Sequence, residues 1–416
     1  MRIAFYGNIA NNFYQIAKEL RTQLQVDAHL FIDAYDPIGM RPENDSPTIK
    51  SCYPDWIHEG HYMNRKTILF PWTSKLIKEL GQYDAVVVSY LGPMFAPFIK
   101  RPIVFLATGS DLTVFPFPKE FLFLAPALKS KMSSMIKGFW QRHGIRRVSE
   151  IWAPPFPPFQ AAIKKLRVNP IRISTTYLPL AIDGDKFKLD ENVRTNQDGN
   201  IQRIVSSCDF MVFHPSRLML QDYPQLKASG QWKRNDLLFR GFAKFIERSG
   251  TQRSFLVMPD RTQSNDLAIG KRVIHEMGLD RHVLWIKPPS PEGFTRDELI
   301  LFYSLADVVA SDFGIGWFGS VVLEALAISR PVINSIDESV MKQLYPWHPI
   351  LSANTAEEIC DHLMRLYTDP EYKREVGRKG RQWMEEFHSG MKVSTIYVKK
   401  LMELSNRVVS GRYRIH

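Results

Sequence analysis

The chain has 416 residues, more than one compact core usually holds, and this length suits two domains. Hydrophobic residues make up 44% and charged residues 23%, as in ordinary globular proteins, and no apolar run is long enough to predict a membrane-spanning helix. The net charge is +11 at pH 7, and residues 129–172 hold ten Lys and Arg with a single acid, Glu150, which points to an anionic partner.

The N-terminal sequence and the cysteines favour the cytoplasm. The start, "MRIAFYGNIANN", lacks a basic region followed by a sustained apolar stretch, so no signal peptide is expected. Three distant cysteines, at positions 52, 208 and 360, argue against a disulfide framework or a zinc site and suit a reducing compartment.

The first part of the chain alternates strand-like and helix-like segments. "RIAFYG" predicts a strand, and "NNFYQIAKELRTQL" predicts a helix because its apolar residues recur at helical spacing. Further predicted strands are "VDAHLFID", "DAVVVSY" and "PIVFLAT". Gly7 and Asn8 end the first strand, where a glycine would let the backbone approach a ligand, although a plain turn explains both residues as well.

The basic segment contains an amphipathic helical pattern, "KSKMSSMIKGFWQR", with Met132, Met135, Ile136, Phe139 and Trp140 on one stripe. Such a stripe either packs on a core or inserts into an anionic membrane surface. Because the aromatic residues lie on the apolar stripe and no recognition motif is visible, nucleic acid is not expected as a partner. The residues assigned to a membrane surface are Lys131, Lys137, Phe139, Trp140, Arg142, Arg146 and Arg147.

The alternation of strands and helices restarts after residue 200, which predicts an α/β fold with two doubly wound, Rossmann-like domains facing a cleft. The stretch 183–200 is polar and has little to bury. The predicted boundaries are a first domain over 1–185, a linker over 186–200 and a second domain over 201–390, with a final helix over 391–416 packing back on the first domain.

A single carboxylate, Glu324, lies inside the apolar run "VVLEALA". Ser320 is a plausible N-cap, and a helix is predicted from Val321 to Ser329, before Pro331. The glycine-rich turn ahead of this helix is suited to anions. A buried Glu324 needs partners, either ribose hydroxyls or a local backbone group or arginine.

The stretch "GWFGSVVLEALAISRPVI" resembles the donor site of retaining glycosyltransferases with the GT-B fold, family 4. The resemblance assigns Glu324 to the nucleotide ribose, and Gly316 stands where the family has a glutamate that contacts the donor sugar. Asp312 is a candidate to reach the sugar instead. Donor binding is also predicted for Phe318, Gly319, Ser320, Val321, Val322, Lys287, Gly7 and Asn8.

Other segments resemble the same family in the same order. "YLPLAIDGDKF" matches its interdomain segment, and "RPIVFLATGSDL" matches a strand and loop in which Thr108 replaces a histidine and Asp111 is retained. "FHPSR" and "KRNDLLFRGFAKFIE" supply Arg217 and Lys233 for the donor diphosphate. Without the resemblance, Asp111 is an ordinary turn residue and the two cations are solvated surface charges.

The resemblance implies an enzyme that moves a hexosyl group from a UDP- or GDP-linked donor to a glycan or lipid-linked acceptor of the cell envelope, with retention of configuration. The first domain would bind the acceptor and the second the donor, with Asp111, Thr108, Lys233 and Arg217 as catalytic residues. No D-x-D motif occurs in a suitable loop, so neither a metal nor another cofactor is expected. The alternatives are a non-catalytic partner or glycan-binding subunit of the same fold, and a nucleotide-sugar 2-epimerase. The sequence indicates no oligomeric state.

Overall fold

The protein folds into two parallel β-sheets surrounded by helices. The structure is a computed structural model that describes residues 1–124, 127–189, 208–221, 223–260, 265–289 and 293–409. The strands are β1 (Arg2–Tyr6), β2 (Asp27–Asp33), β3 (Ile57–Gly60), β4 (Ala85–Val88), β5 (Ile103–Leu106), β6 (Glu150–Trp152), β7 (Phe210–Phe213), β8 (Ser254–Pro259), β9 (Val283–Ile286), β10 (Val308–Ala310), β11 (Val332–Asn334) and β12 (Leu351–Ser352).

The α-helices occupy most connections between the strands. They are α1 (Asn12–Thr22), α2 (Arg65–Leu69), α3 (Lys75–Leu80), α4 (Ser110–Thr113), α5 (Leu128–Ile145), α6 (Pro157–Leu166), α7 (Pro224–Ala228), α8 (Asn235–Ser249), α9 (Asn265–Glu276), α10 (Arg296–Leu305), α11 (Ser320–Ala327), α12 (Glu338–Leu344), α13 (Ala356–Thr368), α14 (Pro370–Phe387) and α15 (Gly390–Val409). Among the described residues, no helix is long and apolar enough to cross a membrane.

Both sheets have the same strand order. The first runs β3-β2-β1-β4-β5-β6 and the second runs β12-β11-β10-β7-β8-β9, with parallel pairing throughout. In each sheet the order reverses between the first and fourth strands, which are β1 and β4 in one and β7 and β10 in the other. This order is that of doubly wound sheets, and the predicted α/β fold with two Rossmann-like sheets is confirmed.

The chain divides into two compact units. Unit 1 comprises Met1–Ala181, Ala228–Gly230 and the described residues of Gly390–His416, and unit 2 comprises the described residues of Ile182–Lys227 and Gln231–Ser389. Unit 2 therefore begins at Ile182, whereas the first domain was predicted to extend to residue 185. Of the predicted linker over 186–200, residues 190–200 lie outside the described residues.

Each unit has its own apolar core. In unit 1, Ile3 and Phe5 of β1 pack with Val87 of β4, and Tyr397 and Leu401 of α15 complete the cluster. The final helix thus belongs to the core of the first sheet. In unit 2, the strands pack against α8 and α13, and the core includes Phe210, Val212, Leu238, Phe242 and Leu363.

The helix that contains Glu324 has bounds different from those predicted. Gly319, in an extended conformation, is the N-cap, and Ser320 is already the first helical residue of α11. Ser329 has a φ of +57°, so the helix ends at Ala327 and the chain turns sharply before Pro331. The helix predicted over Val321–Ser329 is therefore present, but it begins one residue earlier and ends two residues earlier, and the predicted N-cap at Ser320 is wrong.

Candidate functional site

The carboxyl ends of β7 and β10 bring together three of the predicted donor-site segments. In doubly wound sheets, ligands bind outside the carboxyl ends where the strand order reverses, and in unit 2 that position lies between these two strands. The loop after β7 carries Ser216 and Arg217, and the loop after β10 begins at Ser311. The two serine Oγ atoms lie 3.5 Å apart, so the loops adjoin.

Lys233 and Asp312 form an ion pair at this point of unit 2. Asp312 is buried, and the backbone amide of Phe313 donates to the carbonyl oxygen of Lys233 over 3.0 Å, which ties the two loops together. Burial raises the pKa of the Asp312 carboxyl, while the charges of Lys233 and Arg217 oppose that shift. Arg217 is exposed. The cluster of these three side chains has two cations and one carboxylate.

Asp312 was expected to reach the donor sugar, but it is held inside the protein. Its backbone amide donates to Asn334 Oδ1 over 2.9 Å, and its carbonyl oxygen accepts from the amide of Ser335 over 2.6 Å. With its carboxylate on Lys233, this residue positions the lysine.

The glycine-rich loop of unit 2 needs glycine at two positions. A Cβ at Gly314 would lie 2.1 Å from the carbonyl oxygen of Trp232, so only glycine allows this close approach. Gly316 has a φ of +75°, a conformation that favours glycine, and its carbonyl oxygen accepts from the amide of Asp337 over 2.8 Å. Gly316 therefore shapes the turn.

Glu324 is buried and both of its carboxylate oxygens are engaged. Arg296 donates to Oε1 through Nη1, and the Tyr303 hydroxyl donates to Oε2 over 2.8 Å. Burial, followed by the charge of Glu324, raises the pKa of Tyr303 well above its usual range, so its hydroxyl remains a donor at neutral pH. An arginine partner was one of the two alternatives for this carboxylate, and the structure contains it.

The residues around the start of α11 have different environments. Phe318 is buried against Tyr345, Trp383 and His388, with the Phe318 and Trp383 ring centroids 5.6 Å apart. Its side chain is therefore part of the core, and its predicted contact with the donor is not supported by this geometry.

The backbone amides in the first turn of α11 also have different environments. The amide of Val322 donates to the carbonyl oxygen of Gly319 over 3.2 Å. Ser320 and Val321 are half-buried in the first turn, at the end of the helix that favours anions.

Lys287 is exposed directly after β9, the outermost strand, and β8 separates that strand from β7. The structure does not bring Lys287 into the Lys233 cluster.

In unit 1, Gly7 and Asn8 lie at the reversal point of the first sheet. A Cβ at Gly7 would lie 2.3 Å from the carbonyl oxygen of Ser89, which follows β4, and its φ is +91°. Asn8 is fully buried; its amide nitrogen donates to Asn11 Oδ1 over 2.6 Å and to the carbonyl oxygen of Met40 over 3.0 Å. Gly7 and Asn8 therefore have the geometry of a plain turn, which was one of the two explanations for them.

Asp111 holds three segments of unit 1 in place. Its carboxylate accepts from the amide and hydroxyl of Thr108, from the amide of Gly109 over 2.9 Å and from the amide of Tyr90 over 3.2 Å. Its carbonyl oxygen accepts from Gln141 Nε2 of α5 over 3.0 Å, and the same amide donates to the carbonyl oxygen of Tyr90. Burial raises the pKa of Asp111 to about 6 despite these donors. Asp111 thus has the role of a turn residue, and Thr108 is one of its donors.

The residues assigned to a membrane surface are only partly on the surface. Phe139 is 52% exposed, and Arg147 is also exposed. Arg142 donates to the carbonyl oxygen of Pro116 over 2.5 Å, and Arg146, although exposed, donates to that of Leu166 over 2.7 Å. Lys131 is half-buried, and Lys137 lines a cavity.

The buried face of α5 is not the predicted stripe of methionines and aromatics. It consists of Gly138, Gln141, Gly144 and Ile145. A Cβ at Gly144 would lie 1.7 Å from the carbonyl oxygen of Pro93, which explains the close packing on this face.

The sequence did not predict the partners that hold the side chains and loops of the candidate site in position. Arg296 and Tyr303 are seven residues apart and therefore lie on one face of α10, and an arginine and a tyrosine at that spacing were the available signal. Gln141 and Asn334 gave no comparable signal, since each binds backbone atoms of segments distant in sequence. In the described part of the chain, no group of three or more His, Cys, Asp or Glu side chains is arranged to hold a metal ion.

Comparison with known proteins extends these observations. No family model matches the sequence. A trehalose synthase of Rubrobacter xylanophilus is 39% identical over 85 residues, a stretch that covers 20% of this chain and 20% of that enzyme's length.

Solved structures resemble the chain over nearly its whole length. The HepE protein of Anabaena, in complex with UDP, has a TM-score of 0.64 at 14% identity and covers 97% of this chain and 100% of its own. Sucrose-phosphate synthase from Thermosynechococcus elongatus has a TM-score of 0.60 at 13% identity, covering 97% and 99%. A putative UDP-N-acetylglucosamine 2-epimerase from Listeria monocytogenes has a TM-score of 0.51 at 11% identity, covering 100% and 98%. The protein therefore has the two-sheet GT-B fold that these structures share.

Proposed function

We propose that the protein is a retaining glycosyltransferase that moves a hexosyl group from a UDP- or GDP-linked donor to a glycan or lipid-linked acceptor of the cell envelope. The observation that carries this proposal is the cluster of Lys233, Asp312 and Arg217 at the reversal point of the second sheet. Structures of the HepE protein in complex with UDP and with UDP-glucose support a nucleotide-sugar donor.

The cluster has the chemistry that a departing nucleoside diphosphate needs. Negative charge grows on the diphosphate as the glycosidic bond breaks, and cations already in place stabilise that charge. Lys233 and Arg217 would supply them, and Asp312 would keep the ammonium of Lys233 in position. With Asp312 ionised, the cluster has a net charge of +1 and would offset part of the charge of the diphosphate, and we expect no metal ion to be needed.

Proton transfer follows from the same arrangement. In a retaining reaction of this type the acceptor hydroxyl attacks from the face that the diphosphate leaves, and an oxygen of the departing phosphate takes its proton. No protein base is then needed, which agrees with a role for Asp111 and Thr108 in shaping the loop that would face the donor sugar.

Glu324 would hold the ribose of the donor. Arg296 and Tyr303 each occupy one of its carboxylate oxygens, and each oxygen has a second lone pair that a ribose hydroxyl could use. The two partners would then fix the carboxylate for the nucleotide.

The proposal is tested first by a thermal-shift screen of nucleotide sugars and then by assays with Lys233→Ala. Because charge develops on the leaving diphosphate, we expect this variant to lower kcat by a larger factor than it weakens donor binding. Lys271→Ala is the matched control, since Lys271 pairs with Asp260 over 2.8 Å on the surface of the same unit. Full kcat in Lys233→Ala would remove Lys233 from the site.

Two further measurements examine the finer features of the reaction. The anomeric configuration of the product, determined by NMR, should match that of the donor. Activity should persist in the presence of a chelator, and a requirement for added Mg²⁺ or Mn²⁺ would contradict a metal-independent reaction.

The alternatives give different products. A non-catalytic subunit, for which Gly316 and Thr108 in place of the family's residues would be the reason, would bind nucleotide without releasing sugar. A 2-epimerase, favoured only by the lower-scoring likeness to the Listeria protein, would change the sugar without needing an acceptor.

An apolar, aromatic surface supports a peripheral location at the inner face of the cell membrane. Five side chains form this aromatic patch, namely Leu69, Phe70, Trp72, Phe139 and Trp140. The Trp72 ring lies 5.8 Å from that of Trp140, and the Trp140 Nε1 donates to the carbonyl oxygen of Leu69 over 3.2 Å. Leu69, Phe70 and Trp72 are each about half exposed. Exposed Arg65 and Lys66 on α2 and Arg147 after α5 supply positive charge that suits an anionic membrane.

A further inference from the structure

A cavity of about 250 Å³ lies in unit 1 between α5 and the chain segment that follows α4. Its apolar wall includes Phe115, Pro118 and Phe121. This volume exceeds the ~150 Å³ of an engineered protein cavity that takes up benzene, so it suffices for a small organic group.

The wall is packed closely against the helix. A Cβ at Gly138 would lie 2.5 Å from Pro118 Cδ and 2.8 Å from the carbonyl oxygen of Phe115, so glycine is required at this contact. Arg142, one turn later, donates to the carbonyl oxygen of Pro116 over 2.5 Å. These two contacts hold the apolar wall of the cavity in a fixed position against α5.

The polar groups of the cavity lie on one face of α5. Ser130, Ser134 and Lys137 line it and are spaced four and three residues apart, which places them on the same side of the helix. Tyr90 lines the cavity as well. Burial raises the pKa of Tyr90, so its hydroxyl stays protonated and can donate.

Lys137 has an unusual environment for a lysine. It is half-buried, and burial lowers its pKa. In the part of the chain that the structure describes, no carboxylate lies within ion-pair distance of its ammonium group, although such pairs are numerous elsewhere in the protein. An ammonium that is removed from water without an anionic partner is unfavourable, and sites of this kind are often completed by a ligand.

We propose that this cavity binds a small amphiphile, with the ammonium of Lys137 and the hydroxyls of Ser130 and Ser134 holding its phosphate or carboxylate group and the aromatic wall covering its apolar part. Gln141, one turn after Lys137, binds the backbone of Tyr90 and Asp111, so the cavity adjoins the loop that would face the donor sugar. The identification of this ligand with the acceptor rests on the proposed function, whereas its binding does not.

Calorimetric titration with octyl phosphate tests the inference without any transfer reaction. Wild type should bind octyl phosphate, and Lys137→Met should weaken this binding by about tenfold or more, since a charged hydrogen bond is lost while the size of the side chain is kept. Lys129→Met, at an exposed position of the same helix that does not line the cavity, is the matched control and should bind as wild type does. Lys137→Met should also raise the Tm of the ligand-free protein, because it removes an unpaired ammonium from an apolar site.

Octanol and inorganic phosphate separate the two halves of the ligand. Each should bind more weakly than octyl phosphate, and Lys137→Met should leave octanol binding unchanged. The inference is overturned if wild type does not bind octyl phosphate, if Lys129→Met and Lys137→Met weaken binding equally, or if inorganic phosphate alone binds as tightly. Because sugar transfer is measured separately, failure here would leave the donor-site proposal intact.

Discussion

Glu324 and Arg296 form an ion pair inside unit 2, with only 3% and 7% of their side chains exposed. The removal of one partner from such a pair leaves the other charged and desolvated, which is far more costly than the loss of a surface pair. Glu324 therefore contributes to the stability of unit 2 independently of any role with a nucleotide.

We expect Glu324→Ala to lower the free energy of unfolding by about 3–5 kcal/mol, measured by urea denaturation. Glu324→Gln should lose less, since its amide oxygen still accepts from Tyr303. Asp209→Ala is the control, because Asp209 pairs with Arg253 over 3.0 Å where both side chains are about half exposed, and it should lose less than about 1 kcal/mol. If Glu324→Ala and Asp209→Ala lowered the free energy of unfolding equally, burial would not be the reason that the Glu324–Arg296 pair stabilises unit 2.

Asp111 should make stability depend on pH. Its pKa of about 6 in the folded protein exceeds that of an unfolded aspartate, about 3.9, so the folded state binds the proton more tightly. The resulting stabilisation is complete below about pH 4 and is lost as the pH rises through 6, and it amounts to roughly 2–3 kcal/mol.

Urea denaturation of wild type and Asp111→Asn between pH 4 and pH 7 measures this effect. The variant cannot titrate at this position, so the difference between the two free energies of unfolding should shift by that amount across the range. Comparison with the variant also removes the contribution of Asp36, whose pKa burial likewise raises to about 6. A constant difference would show that Asp111 titrates normally.

At the level of elements, α5 connects three features of unit 1. Its buried face, with Gly138 and Gly144, packs against the rest of unit 1. Ser130, Ser134 and Lys137 line the cavity, and Phe139 and Trp140 lie in the aromatic patch. Each feature involves different residues of the helix, so single substitutions can test the three features one at a time.

The aromatic patch should bind anionic vesicles. Basic residues near an anionic surface contribute roughly 1 kcal/mol each, and this contribution falls off within the Debye length, so salt should weaken binding without abolishing the part due to aromatic insertion. We expect Lys131→Glu with Arg147→Glu, or Trp72→Ser with Phe139→Ser, to release the protein in a sedimentation assay.

Nucleotide binding should persist in these variants, because the proposed site around Lys233 and Asp312 belongs to unit 2. Lys342→Glu with Lys392→Glu makes the same change in net charge at two exposed positions elsewhere and should leave vesicle binding unchanged. Equal sedimentation of all the variants would show that the patch does not bind lipid.

At the scale of the whole molecule, the apolar runs predicted the two parallel sheets. Segments such as "DAVVVSY" and "DFMVFHP" are buried on both faces, so their β-branched and aromatic composition reports directly on their place in a sheet. The side chains of the candidate site were less predictable, because their partners depend on how distant segments meet.

Three residues show this contrast. Lys233 was assigned to the donor diphosphate, and the structure places it beside the loop after β10, where its partner is Asp312, a residue that was expected to contact a sugar. Phe318 lies in a sequence that resembles a donor-binding turn, yet aromatic residues more than 60 positions later bury it. The pattern and spacing of residues along the chain do not predict such contacts between distant segments.

The return of α15 to the first sheet has a consequence for biosynthesis. Tyr397 stacks edge-on against Trp152, with ring centroids 5.4 Å apart, and both lie in the core of unit 1. A ribosome adds roughly 240 residues between these two positions, which takes about 10–50 s at ordinary elongation rates. During that interval the apolar face that Tyr397 later covers has no final partner, whereas the strands of unit 2 are made in one continuous passage. The first sheet to be synthesised is therefore the last to be completed, and its apolar face stays uncovered for the longest part of synthesis.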